Sequence, residues 1–210
     1  MIGILEYGVG NLFSLQSSLQ QCGIEHRLVR DEKEIQACQG LILPGVGAFA
    51  AAMNSLRSRE LVEVIQTVAK QGMPLLGICL GMQVLLETGY EYGTHLGLGL
   101  IPGEIRPLQE LIQETVTIPH MGWNQLQFPA TRPKHTLFQD LEAGAWVYFV
   151  HSYAASQTGN HTIATCEYGQ SVTAAVACEN VAGVQFHPEK SGETGLKILR
   201  NFATWTEVLR

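Results

Sequence analysis

Short apolar runs alternate with amphipathic segments through the first half of the chain. The runs at 2–5, 40–43 and 75–78 have the length and composition of buried strands. Between and after them, apolar residues recur every three or four positions, as along one face of a helix: Leu12, Leu15 and Leu19; Phe49, Ala52, Met53 and Leu56; Leu61, Val64, Ile65 and Val68. Apolar strands separated by helices predict a parallel sheet that is covered on both faces.

The second half of the chain is richer in predicted strands. The segments 145–150, 172–177 and 181–186 fit strands, with turns at Gly159-Asn160 and Glu179-Asn180. A last amphipathic helix turns four residues inward: Leu196, Leu199, Phe202 and Ala203. No repeat, low-complexity tract or linker-like segment divides the chain. We therefore predict one mixed α/β domain over residues 1–210, with a mainly parallel central sheet flanked by helices.

Composition narrows the class of protein. The chain has 210 residues, of which 46% are hydrophobic and 15% charged, so it can bury a large core and is not intrinsically disordered. A net charge of −6 without a basic run argues against nucleic acid, and no apolar stretch reaches the ~18 residues of a membrane span. Without a visible signal peptide or any C-x-x-C pair, we expect a reduced, cytoplasmic protein with neither a disulfide framework nor a metal site.

The segment Gly77-Ile78-Cys79-Leu80-Gly81 follows the apolar run at 75–78 and opens a helical pattern. This is the layout of a nucleophile elbow, with cysteine in place of serine. The start of the helix would favour the thiolate of Cys79, and the N–H of Leu80 would point towards an oxyanion. The alternative is a small buried cysteine packed between glycines, and this motif alone does not decide between the two.

The segment His187-Pro188-Glu189 supplies the groups that a cysteine nucleophile needs. Residues two apart in an extended chain project to the same side, so Glu189 can orient the imidazole of His187. The other ring nitrogen then remains available to serve the nucleophile. Taken alone, the pair also fits a surface histidine and glutamate at the end of a strand. With Cys79 in the same chain, a Cys-His-Glu triad is the better interpretation.

Two glycine-rich loops follow predicted strands. Pro44-Gly45-Val46-Gly47 should face the Cys79 loop, because ligands gather at the carboxyl ends of parallel strands. Its glycines would let backbone N–H groups approach a reacting carbonyl, although a tight turn explains them equally well. Gly8-Val9-Gly10 is not a dinucleotide fingerprint, since Phe13 stands where the third glycine should be. We therefore expect neither a nucleotide nor another cofactor.

Six motifs together resemble those of the class I (triad) glutamine amidotransferases, and more closely the branch formed by the glutaminase subunits of imidazole glycerol phosphate synthases. They span nearly the whole chain: Tyr7-Gly8-Val9-Gly10-Asn11, Pro44-Gly45-Val46-Gly47-Ala48-Phe49, Gly77-Ile78-Cys79-Leu80-Gly81-Met82-Gln83, Pro119-His120-Met121-Gly122-Trp123-Asn124, Tyr148-Phe149-Val150-His151-Ser152-Tyr153 and Phe186-His187-Pro188-Glu189-Lys190-Ser191. The resemblance implies a flavodoxin-like fold and the hydrolysis of glutamine to glutamate and ammonia in histidine biosynthesis.

The resemblance also implies roles for individual residues. Cys79 would attack the carboxamide of glutamine, His187 would transfer protons, and Glu189 would orient His187. Backbone amides would bind the oxyanion and four side chains would contact the substrate: Val46, Gly47 and Leu80 for the oxyanion; Gln83, Glu91, Ser152 and Tyr153 for glutamine.

The implied partner is a (β/α)₈-barrel cyclase subunit, joined to this chain in a heterodimer, which uses the ammonia. Five residues fall on motifs that face this barrel in the family: Asn11, His120, Met121, Trp123 and Lys190. An exposed Met-Gly-Trp segment has the composition of an interface. The alternatives are core packing for Trp123 and a solvated surface lysine for Lys190.

Three other functions remain open from the residues alone. The first is an amidotransferase that feeds another synthase, against which the 119–124 segment argues. The second is a binding or sensor module with this fold but without activity, against which the intact set of Cys79, His187 and Glu189 argues. The third is a thiol hydrolase that acts on other amides.

Overall fold

The computed structural model describes residues 1–208, which form thirteen strands, seven helices and three short 3₁₀ turns. The strands are β1 Ile2–Leu5, β2 His26–Val29, β3 Gly40–Leu43, β4 Leu75–Ile78, β5 Leu86–Gly89, β6 His95–Leu96, β7 Ile101–Pro107, β8 His120–Gln125, β9 Trp146–His151, β10 Tyr153–Ser156, β11 Thr162–Glu167, β12 Ser171–Cys178 and β13 Val181–Val184. The helices are α1 Leu12–Gln21, α2 Glu32–Gln36, α3 Phe49–Ser58, α4 Leu61–Lys70, α5 Leu80–Leu85, α6 Leu108–Leu111 and α7 Gly192–Val208.

The central sheet has seven strands in the order β11-β12-β13-β4-β3-β1-β2. The five strands from β13 to β2 are parallel, and β11 and β12 are antiparallel additions at one edge. Strands β1, β3, β4 and β13 are buried along their whole length, which explains why they are apolar at every position. The prediction of a mixed α/β fold with a mainly parallel sheet flanked by helices is confirmed.

Successive residues of the central strands enter two different cores. Ile42 and Leu76 pack with the residues of α1 and α7, whereas Leu41 and Leu75 pack with those of α3 and α4 on the opposite face. This alternation is the period of two that any strand imposes on its side chains. The amphipathic stripe predicted for α4 is buried except for Val64, which is only partly covered.

The smaller sheets and the end of one strand differ from the sequence-based expectation. A four-stranded sheet, β10-β7-β5-β6, and strand β8 were not predicted, because polar residues interrupt their apolar pattern. Strand β9 was predicted at 145–150, and it pairs with β8 in a separate two-stranded sheet. The last predicted central strand ends at Val184 rather than at Phe186. Beyond it, the N–H of His187 donates to the carbonyl of Tyr148 in β9 at 2.9 Å, so the chain there has left the central sheet.

The turn between β4 and α5 lies directly against the loop that follows β3. A Cβ atom on Gly81 would lie 1.8 Å from the carbonyl oxygen of Leu43, and one on Gly45 would lie 2.8 Å from the backbone nitrogen of Gly81. Within the turn, a Cβ on Gly77 would lie 2.7 Å from the carbonyl of Gly81. Only glycine lets these backbones approach so closely, and their approach brings two loops to one edge of the sheet.

We expect Gly81→Ala to lower the free energy of unfolding by about 2–3 kcal/mol or more, because a backbone oxygen cannot move away from the added methyl group. Gly23→Ala is the matched control. Gly23 has open space around it and a φ of +69°, so only the cost of the left-handed conformation, about 1 kcal/mol, should appear. Urea titration of both variants measures the difference, and equal losses would contradict the close-contact explanation.

Candidate active site

Cys79 occupies the sharp turn between β4 and α5. Its φ of 54° and ψ of −111° lie outside the regions that side-chain-bearing residues prefer. Two backbone hydrogen bonds hold it there: its N–H donates to the carbonyl of Val184 at 2.8 Å, and its carbonyl accepts from the N–H of Gln83 at 3.1 Å. A strained residue that is fixed in this way at a sheet edge is typical of a functional site.

Cys79 opens into a cleft of about 530 Å³ at the carboxyl edge of the central sheet. Every residue that the sequence assigns to the oxyanion or to the substrate lines this cleft, together with Cys79 and His187: Val46, Gly47, Leu80, Gln83, Glu91, Ser152 and Tyr153. The cleft therefore gathers residues from segments that lie far apart in the chain.

His187 and Glu189 form a buried pair beside this cleft. The Nδ1 atom of His187 lies 2.7 Å from the Oε1 atom of Glu189, and the two side chains are 3% and 4% exposed. Because a carboxylate can only accept, Nδ1 must carry the hydrogen. The Nε2 atom is then left without a hydrogen-bond partner among residues 1–208, and His187 lines the cleft with Cys79.

Two neighbours act on the charge of His187. Burial by itself lowers the pKa of this imidazole, but the adjacent Cys79 sulfur and the Glu189 carboxylate outweigh burial and raise the pKa to about 9. His187 therefore holds a proton at neutral pH, in a position beside a sulfur nucleophile.

Ser191 fixes the backbone of the His187 segment and was not singled out from the sequence. Its hydroxyl donates to the carbonyl of His187 at 2.6 Å and accepts from the N–H of Tyr148 at 3.0 Å. The segment Pro188–Lys190 forms a 3₁₀ turn between these contacts. The pairing with Tyr148 joins segments more than forty residues apart, so no local pattern could have indicated it.

The predicted oxyanion residues lie on both sides of Cys79. Leu80 begins α5, so its N–H has no acceptor within the helix. On the other side, Gly47 has a φ of +102°, and the hydroxyl of the buried Tyr7 donates to the carbonyl of Pro44 at 2.8 Å, which fixes the start of this loop. Backbone N–H groups from two loops can therefore reach the same small volume.

Two of the residues predicted to contact the substrate already make hydrogen bonds within the protein. The Nε2 atom of Gln83 donates to the carbonyl of Tyr153 at 3.2 Å and to the Oε1 atom of Gln185 at 3.0 Å. One carboxylate oxygen of Glu91 accepts from the N–H of Phe49, the first residue of α3, at 2.6 Å. Gln83 still has its carbonyl oxygen free for a ligand, and Glu91 its second oxygen.

The structure places His120 differently from the other four residues assigned to the interface. Its side chain is 3% exposed and stacks between the rings of Phe149 and Tyr168, at centroid distances of 4.6 and 3.9 Å. Its Nδ1 atom lies 2.9 Å from the Nε2 atom of His151, which lines the cleft. His120 therefore supports the wall of the cleft from behind, and its side chain offers almost no surface to another chain.

The other four residues assigned to the interface are exposed. Met121 and Trp123 are 61% and 52% exposed on β8. The Trp123 ring meets Tyr148 edge-on, and the Nζ atom of Lys190 lies 5.8 Å from the centre of the same tyrosine ring. Asn11 caps the start of α1 and lies with His187 and Glu189 around a small crevice.

Neither a membrane-spanning helix nor a metal centre is present in the part of the chain that the structure describes. None of its helices combines the length and apolarity needed to cross a bilayer. Within the same residues, His, Cys, Asp and Glu side chains form no group of three or more that could hold a metal ion.

Comparison with known proteins gives the same family along the whole chain. The family model for glutamine amidotransferase class-I matches residues 4–205. Among curated relatives, imidazole glycerol phosphate synthase subunit HisH of Lactococcus lactis is 48% identical over 202 residues, covering 96% of each chain. The protein of the same name from Lacticaseibacillus casei is 46% identical over 207 residues, covering 99% of this chain and 97% of the relative.

Solved structures share the fold at low sequence identity. A crystal structure described as a glutamine amidotransferase superposes with a TM-score of 0.75 at 18% identity, covering 98% of both chains. The structure of PurLQS from Thermotoga maritima gives a TM-score of 0.72 at 19% identity and covers 97% of both. These matches show the fold, whereas the family model and the curated relatives show the family: the chain belongs to the class-I glutamine amidotransferases and, within them, to the HisH subunits of imidazole glycerol phosphate synthase.

Proposed function

We propose that the cleft binds glutamine and that Cys79, His187 and Glu189 hydrolyse it to glutamate and ammonia. As a HisH-type chain, the protein is the glutaminase subunit of imidazole glycerol phosphate synthase. One observation carries the assignment of the residues: the imidazole of His187 is held through Nδ1 by a buried carboxylate and lines, with Cys79, a cleft large enough for an amino acid.

The first half of the reaction forms a thioester. The proton of the Cys79–His187 pair already lies on His187, so Cys79 attacks the carboxamide carbon as a thiolate while the C=O electrons move onto oxygen. The N–H groups of Leu80 and of the Val46–Gly47 loop stabilise this oxyanion. When the tetrahedral intermediate collapses, the C–N bond breaks and His187 transfers its proton to the departing nitrogen, which leaves as ammonia.

The second half regenerates the enzyme. His187 is now neutral, and it takes a proton from a water molecule that attacks the thioester carbon. The C–S bond breaks, glutamate leaves, and the proton returns to the Cys79–His187 pair. Throughout, Glu189 accepts the Nδ1–H of His187, which keeps the ring in one orientation and stabilises its charged form.

Two groups in the cleft present acceptors to glutamine, and one of them is a carboxylate that suits its α-ammonium. Glu91 offers its second carboxylate oxygen to the α-ammonium of glutamine, since its first is used by the N–H of Phe49. Gln83 uses its amide nitrogen within the protein, so it presents its carbonyl oxygen as an acceptor. Ser152 and Tyr153 also line the cleft.

The chemistry of the ammonia product favours a closed path from this site to a partner subunit. In water at neutral pH, ammonia becomes ammonium, which is not a nucleophile, so it must pass directly into a synthase site. We assign this site to the (β/α)₈-barrel cyclase subunit in a heterodimer. Its contact surface on this chain includes Met121, Trp123 and Lys190 with Asn11 nearby, since exposed aromatic and methionine side chains are enriched in interfaces.

The need for a free thiol at Cys79 also indicates where in the cell the protein works. A cysteine nucleophile needs a free thiol, and all five cysteines of the chain are free. The cytoplasm keeps thiols reduced, and we therefore propose that the protein works there.

Replacing the nucleophile should abolish glutamine hydrolysis. In the complex with the cyclase subunit, Cys79→Ala is expected to lower glutaminase kcat by at least roughly 10³-fold, because no other group can form the thioester. Release of glutamate from glutamine, measured with and without the cyclase, checks this. Cys178→Ala, at a partly exposed cysteine away from the cleft, should keep the wild-type rate. Full activity in Cys79→Ala would exclude the proposed chemistry.

The pH profile should report the proton on His187. Because the leaving nitrogen needs this proton, wild-type kcat should decline as the pH rises through about 9, the pKa of His187. Glu189→Gln removes a charge that raises this pKa, so the decline should begin at lower pH and kcat should fall by roughly 10²–10⁴-fold. Glu193→Gln, on the exposed side of α7, is the control. If kcat of Glu189→Gln declines over the same alkaline pH range as kcat of the wild type, the role of Glu189 is refuted.

The exposed tryptophan should matter for assembly more than for folding. Trp123→Ala is expected to weaken binding of the cyclase subunit by about tenfold or more, whereas the melting temperature should stay nearly constant because half of the ring is already in water. Leu96→Ala removes another exposed apolar side chain and should leave binding unchanged. Unaltered affinity and glutamine-dependent synthase activity in Trp123→Ala would remove this residue from the interface.

A further inference from the structure

Gln185 is a fully buried amide that the mechanism above does not use. It follows β13 directly and is 0% exposed. Strands β13 and β4 are parallel neighbours, with Val184 opposite Ile78. The next residue of each strand is therefore Gln185 on one side and Cys79 on the other. The amide nitrogen of Gln185 lies 3.7 Å from the sulfur of Cys79, within hydrogen-bond distance for sulfur.

The direction of this hydrogen bond is determined by the groups behind it. The carbonyl of Tyr153 can only accept, so the end of the Gln83 side chain that meets it at 3.2 Å must be the NH₂ group. The same NH₂ group lies 3.0 Å from Gln185, so it must meet the carbonyl oxygen of that amide. Gln185 then has only its own NH₂ group to direct at the sulfur of Cys79.

We propose that Gln185 is a positioning residue that donates a hydrogen bond to the sulfur of Cys79 and stabilises its anionic form. This inference rests on the proposed function, in which the sulfur acts as an anion both when it attacks and when it leaves. A hydrogen bond to a charged acceptor is stronger than one between neutral groups, so the contact favours the thiolate. Because the amide group of Gln185 is neutral and does not ionise, it stabilises the thiolate without acting as a second acid beside His187.

Alkylation of Cys79 tests the inference independently of glutamine. The rate of reaction of the full-length chain with iodoacetamide is followed against pH by mass spectrometry of the peptide that contains Cys79. The midpoint of this curve of alkylation rate against pH belongs to the coupled Cys79–His187 pair and not to either residue alone. In Gln185→Met it should rise by about one pH unit, which makes alkylation about tenfold slower at pH values well below both midpoints. Gln66→Met removes a glutamine that donates to the carbonyl of Leu98, away from the cleft, and should leave the midpoint unchanged.

Gln185→Glu gives a second test in which packing is nearly unchanged. Its carboxylate still accepts from Gln83 but cannot donate to the sulfur, so the midpoint should rise at least as far as in Gln185→Met. In the complex with the cyclase subunit, both variants should lower glutaminase kcat by about tenfold and leave KM within about twofold.

An unmoved midpoint in either variant, with wild-type melting temperature, would overturn the inference. A residue that only filled space would affect the melting temperature and leave the alkylation midpoint where it was. The midpoint depends on the ionisation of the sulfur and not on turnover. An unmoved midpoint would therefore count against the role of Gln185 alone, and a lack of glutaminase activity would count against the proposed hydrolysis of glutamine.

Discussion

The parallel pairing of β4 with β13 is the constraint on which the rest of the site depends. Both strands run in the same direction and end at the same edge, with Ile78 opposite Val184. The chain turns sharply after Ile78 and presents Cys79, while the chain that leaves β13 at Val184 runs through Gln185 to His187. A slip of one residue in this register would reverse the side chains of one strand and separate the sulfur from the imidazole.

Close approach of backbones adds the second loop to this edge. The glycines of the β4–α5 turn and of the loop after β3 leave no volume for side chains between them, so the two loops lie directly against each other at this edge. The strained backbone of Cys79 is tolerated because its own N–H and C=O are both engaged, by β13 and by α5. The rigidity of the sheet thus stabilises a conformation that an isolated turn would rarely adopt.

Some of this arrangement could be predicted from local pattern. The glycines around Cys79 and the spacing of His187 and Glu189 are visible within a few residues, and the fully apolar strands indicate a parallel sheet. The contacts of Gln185 and Ser191 were missed because each joins segments that meet only after folding. His120 was assigned to the surface beside Met121 and Trp123, but on strand β8 alternate side chains face opposite ways, and His120 faces inward. Without a predicted strand at 120–125, that alternation could not be used.

The inward-facing histidines have a consequence for the fate of the product. Burial lowers the pKa of His120 to about 4 and that of His151 to about 3, so both rings are uncharged under physiological conditions. His151 lines the same cleft as His187, whose pKa is raised instead. An ammonia molecule formed in the proposed reaction would therefore meet, in this second imidazole, a neutral ring rather than a charged acid. At His151, the cleft wall would leave a neutral product uncharged.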